Sequence, residues 1–150
     1  MSIDEETLAY LVKRGVEIES IIADVLFQLL IVEEDEGRRK LIYELLRDTE
    51  RHKAIQIRIS RMFSEELTPL LLKEEHRFRE MFTTQRMGIL KDYVVVVKDF
   101  YRFLIEDIKQ AAHEKRLDLG KVEKILPALE GMLGEKEEQL KRIEKLVGKF

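Results

Sequence analysis

The chain has 150 residues, a length that supports one domain around a single core. Charged residues make up 38% and hydrophobic ones 45%, with only two prolines, a composition that excludes a disordered chain and points to a helical protein. The net charge of −3 gives no strong pull toward nucleic acid or an anionic membrane, and the absence of Cys excludes disulfides, thiolate catalysis, Cys-type zinc sites and rubredoxin-type iron centres.

No apolar run reaches ~18 residues, so no transmembrane helix is expected. The first six residues, Met1 to Glu6, lack the basic and apolar regions of a secretion signal, and a cytoplasmic location is expected. The absence of Asn, beside many Glu, Lys and Arg, is a thermophile-like bias.

Ser2 and Glu5 form a capping-box start for a first helix. Leu8, Leu11, Gly15, Ile18, Ile22, Val25, Leu29 and Val32 then recur at spacings of three and four, one buried helix face. The acidic run Glu33 to Gly37 ends it and suits the start of a second helix. That helix carries Ile42, Leu45, Thr49, His52, Gln56, Ile59 and Phe63 on one seam. The short turn predicts an antiparallel hairpin.

Residues 64–88 read as a long crossover containing a short helix. Thr68-Pro69 is its N-cap and first position, and Thr83-Thr84 caps the helix that follows. The third long helix carries Leu90, Val94, Val97, Tyr101, Leu104 and Ile108, although Val94 to Val97 alone would suit a strand. Asp118 caps a fourth helix with Val122, Ile125, Leu129, Met132, Lys136, Gln139, Ile143, Leu146 and Phe150 on its seam. Gly131 and Gly134 in that helix predict a closely approaching neighbour. Four capped segments with one long crossover predict an all-α, antiparallel four-helix bundle over residues 1–150.

The seams are apolar except near their middles, at Thr49, His52, Gln56, Lys136 and Gln139, with Glu19 beside the seam of helix one. Helix middles share one level in such a bundle, so these residues predict a central polar layer faced by Val97. His76 and His113 read as surface residues. Tyr101 reads as a core residue with a hydrogen-bonded hydroxyl. Arg47, Arg51, Lys53, Arg58 and Arg61 read as a solvated basic face.

At these positions the chain resembles the ferritin-like superfamily, and within it the rubrerythrin-like proteins. Gly15-Val16-Glu17-Ile18-Glu19 looks like the family's first-helix motif, with Glu19 at the ligand position. Asp48-Thr49-Glu50-Arg51-His52 looks like the second, with Thr49 where the family has Glu. Val97 stands at the third Glu position, and Lys136 and Gln139 stand where the fourth helix would supply Glu and His. The resemblance therefore implies a diiron site reduced to two of its six ligands.

Its expected role is non-catalytic: structural, regulatory or interaction-based, with no cofactor. The alternative is an iron- or peroxide-handling oxidoreductase with one iron, manganese or zinc ion at Glu19, Asp48 and His52. The Lys136 ammonium either pairs with Glu19 and Asp48 in place of a metal or extends to the bundle edge. A homodimer is expected through Val95, Phe100 and Phe103, with neither nucleic acid nor membrane as partner. A helical adaptor unrelated to ferritins predicts that the polar positions do not meet.

Overall fold

The structure, a computed structural model, describes residues 4–63 and 75–147, and these form four helices. They are α1 (Glu5–Val32), α2 (Glu36–Phe63), α3 (Glu75–His113) and α4 (Leu119–Val147), with no strand among the described residues. Nor is any described helix long and apolar enough to cross a membrane.

The helix boundaries follow from local chemistry. Asp4 caps α1, its carboxylate accepting from the Thr7 N–H at 2.7 Å. Ser2, the expected cap, lies outside the described residues. The turn to α2 is Glu33–Asp35, and Glu36 and Gly37 already belong to α2. Asp35 caps α2 by accepting from Arg38 N–H at 2.9 Å. The last turn of α1 contains no basic residue, and Arg39 supplies one from α2. Its guanidinium donates to the Leu30 carbonyl at 2.7 Å and the Glu33 carbonyl at 2.9 Å.

At the end of α3, Arg116 N–H bonds to Ala111 O at 2.9 Å and Lys115 N–H to Ala112 O at 3.1 Å. These are the two bonds of a Schellman cap. They place Lys115 at φ 61°, the left-handed position that favours glycine. Asp118 caps α4, accepting from Gly120 N–H at 2.8 Å.

The expected helix restart at Thr83-Thr84 does not occur: the backbone is helical through both. No Pro or Gly lies between Glu75 and Thr84, and a threonine cap signal competes only locally with an uninterrupted helix. The expected cap at Thr68-Pro69 lies outside the described residues.

The helices pack as a ring: α1 on α2, α2 on α4, α4 on α3 and α3 on α1. This leaves α1 with α4, and α2 with α3, as the two diagonals of the bundle. Surface ion pairs give the directions. Lys121 at the start of α4 meets Glu5 at the start of α1 (3.6 Å), whereas Lys91 meets Glu144 (3.8 Å) and Arg142 meets Glu44 (3.8 Å) toward the other end. Hence α1 runs parallel to α4 and α2 parallel to α3, the arrangement that requires one long crossover between α2 and α3.

The core is built from Leu8, Val12, Ile22 and Leu26 of α1, Ile42 and Leu45 of α2, Val94, Val97, Leu104 and Ile108 of α3, and Ile125 and Leu129 of α4. The four-valine run is helical, burying Val94 and Val97 while Val96 faces out.

Close approach of a neighbour, by side chains, is found at Gly15, not at Gly131 or Gly134. A Cβ at either of the latter would meet nothing within 4 Å, because both are exposed. A Cβ at Gly15 would lie 2.0 Å from Gln56 Oε1 and 3.1 Å from the Phe100 ring.

Candidate functional site

Midway along the bundle the apolar core is interrupted. Glu19 of α1, Thr49, His52 and Gln56 of α2, and Lys136 and Gln139 of α4 are all buried, in the same core as Val97 and Tyr101 of α3. Most occupy seam positions, so the spacing that turns Ile42 and Leu45 inward also turns Thr49, His52 and Gln56 inward.

Glu19 is the hub. Its Oε1 contacts the Lys136 ammonium and its Oε2 lies 3.3 Å from His52 Nδ1. All three side chains are fully buried. The Glu19–Lys136 contact spans the α1/α4 diagonal, where the backbones themselves do not meet. A buried ammonium is costly unless a counter-charge accompanies it, and Glu19 is that counter-charge.

The other ring nitrogen of His52, Nε2, contacts Oε2 of Glu135 on α4. The same oxygen accepts from Arg51 at 2.6 Å. A chain of polar contacts therefore runs from Arg51 at the surface through Glu135, His52 and Glu19 to Lys136. Both His52 nitrogens face carboxylate oxygens, Nε2 in a hydrogen bond with Glu135 and Nδ1 at 3.3 Å from Glu19. Burial acts to raise the Glu135 pKa, but the His52 hydrogen bond and the charges of His52 and Arg51 outweigh it and hold it below the usual glutamate value.

The second diagonal is bridged as well. Gln56 of α2 donates through Nε2 to the Tyr101 hydroxyl of α3 at 2.7 Å. Burial, and secondarily the Glu19 charge, push the Tyr101 phenol well above its ordinary pKa, against the opposing effect of the Gln56 bond. The Tyr101 ring stands edge-on to His52, with centroids 6.5 Å apart, and is tilted against Phe100 at 5.8 Å. Gly15 makes room for Gln56 beneath this pair.

Glu19 and His52 meet directly, whereas Asp48 pairs with Arg51 at 3.2 Å and Arg47 at 3.6 Å. Among the described residues no group of three or more His, Asp or Glu side chains is arranged to hold a metal ion. Lys136 does not extend to the bundle edge; its side chain is wholly inside. Thr49 Oγ1 and Gln139 Nε2 are buried with no hydrogen-bond partner among the described residues. Val95 and Phe100 are half-buried, while Val96 and Phe103 are 52% and 50% exposed on the outer face of α3.

Glu135 is the member of the layer that seam reading misses, because it lies beside the seam. Its signal was the charge opposite Arg51 at the same level of a neighbouring helix. Comparison of the chain with protein-family models, with curated proteins and with solved structures finds no match.

Proposed function

We propose that the chain is a ferritin-like bundle of the rubrerythrin type in which an internal ion pair has taken the place of the metal centre. In this reading its role is structural, regulatory or interaction-based rather than catalytic. The observation that carries it is the buried Lys136 ammonium against Glu19. A diiron centre needs several carboxylates to neutralise two cations. Here the corresponding positions offer a cation (Lys136), an alkyl group (Val97), a hydroxyl (Thr49) and an amide (Gln139). The donor set does not fit such a centre, and Lys136 supplies the positive charge that Glu19 requires.

The competing reading, a single iron, manganese or zinc ion at Glu19, Asp48 and His52, requires Lys136 to leave Glu19 and Asp48 to leave its arginines. Metal analysis separates the two. Protein purified without chelators is incubated with Fe(II), Mn(II) or Zn(II), desalted and analysed by mass spectrometry. The ion-pair reading expects far less than one ion per chain and no rise in melting temperature. One ion per chain, lost in both Glu19→Ala and His52→Ala, would establish the metal reading instead.

A further inference from the structure

The apolar faces of this bundle repeat. On α1 the seam residues recur every three or four positions from Leu8 to Leu29, and on α4 the same spacing runs from Val122 to Met132. A helix sliding along its axis by one turn presents nearly the same apolar surface to its neighbours, so these seams alone leave axial position weakly determined. The polar layer does not repeat. Among the described residues Glu19 is the one charged group of α1 with no exposure, Glu17 being 6% exposed and paired with the surface residue Arg14, and Lys136 is the one buried charge of α4. A slip of one turn, ~5.4 Å, would separate them and leave each charge alone in hydrocarbon.

The two diagonals are bridged independently, Glu19 to Lys136 and Gln56 to Tyr101. Each joins helices whose backbones do not touch, so neither merely reinforces an existing interface. His52 adds a third constraint, touching Glu19 on α1 and Glu135 on α4 at once. Gly15 adds a fourth, since it accepts Gln56 only where no Cβ intervenes. The layer is wide in what it joins and narrow in the geometry it accepts. Apolar side chains in its place would give comparable or greater stability without that selectivity.

We infer that the central polar layer is a register lock: a device that selects one axial alignment of the four helices against slipped alternatives that the apolar seams would tolerate. It acts through both diagonals, and it stands whether or not the ion pair descends from a metal site.

The chain has no native cysteine, so two introduced ones report axial position cleanly. Phe27→Cys on α1 and Glu123→Cys on α4 replace exposed residues separated along the axis by about 30 Å. Spin labels there give a distance distribution by pulsed electron resonance. The otherwise wild-type chain is expected to show one narrow peak. Replacing both bridges, with Glu19→Leu, Lys136→Met, Gln56→Leu and Tyr101→Phe together, is expected to keep the helical circular dichroism and to broaden or split the peak by about 5 Å. Replacing the Gln56–Tyr101 bridge alone is expected to give an intermediate width. A fully apolar variant that folds with an unchanged narrow peak would overturn the inference. So would a fully apolar variant that does not fold, since the layer would then supply stability rather than selection.

Discussion

Lys136 and Glu19 sit on helices whose backbones do not touch, yet their side chains meet at the centre of the bundle. Each is the reason the other can be buried. Removing one should therefore cost far more than removing both. Lys136→Met or Glu19→Leu alone is expected to destabilise by about 3–5 kcal/mol, because the remaining charge has lost its main partner. For a chain of this size that lowers the melting temperature by on the order of 10 °C. The double variant should recover most of the loss. Thermal and denaturant unfolding of the four proteins check this; additive single effects would show that the pair is not coupled.

Gly15→Ala is expected to destabilise, although alanine is the better helix former by about 1 kcal/mol. The new methyl group would take the place of Gln56 Oε1 and force Gln56 off the Tyr101 hydroxyl. A net loss of about 1–3 kcal/mol is expected from urea unfolding. Adding Gln56→Ala should reduce the penalty by removing the clashing amide.

Lys115→Gly is expected to stabilise by about 0.5–1 kcal/mol, because the left-handed backbone at φ 61° costs a side-chain-bearing residue energy that glycine does not incur. The Schellman bonds to Ala111 and Ala112 remain. Chemical denaturation measures the gain, and Lys115→Ala should not reproduce it.

Acid should weaken the layer through Glu135. Its pKa is lowered in the fold, so the unfolded chain takes up the proton first as pH falls. The associated stability is present above the ordinary glutamate value of 4.5 and is lost as pH falls through the folded value. Melting temperature against pH for the wild-type chain and Glu135→Gln checks this, with a shallower acid decline expected in the variant.

Alkali should act through Tyr101. Its raised pKa means that above pH 10 the unfolded chain loses the phenolic proton while the folded chain keeps it. Stability is therefore full below the ordinary tyrosine value and falls as pH rises above it. An ultraviolet titration should show one of the four tyrosines ionising only with unfolding, and Tyr101→Phe should abolish that late step.

The helices and their order are legible in the sequence because an apolar period of three and four, repeated over about seven turns, has few competing explanations. Five of the buried polar residues are legible for the same reason, since Thr49, His52, Gln56, Lys136 and Gln139 interrupt that period, whereas Glu17 and Ser60 are buried without lying on a seam. What a seam cannot convey is direction off the seam. Asp48 flanks it and turns to Arg51 and Arg47, whereas Glu135 flanks it and turns to His52. Neighbouring helices decide between such outcomes, and their rotation is not encoded in spacing. The glycines show the same gap. Gly15, Gly131 and Gly134 are alike in sequence, but only Gly15 has a neighbouring side chain in the space a Cβ would fill. Thr83-Thr84 misleads because a cap is a local signal, and a continuous helix prevails where nothing breaks it.

The Arg39 guanidinium on the carbonyls of Leu30 and Glu33 ties the end of the first helix to the beginning of the second. Neither terminus is finished without the other, and only three residues separate them. Closing so short a loop is fast and loses little chain entropy, so this pair is suited to assemble ahead of the distant partners.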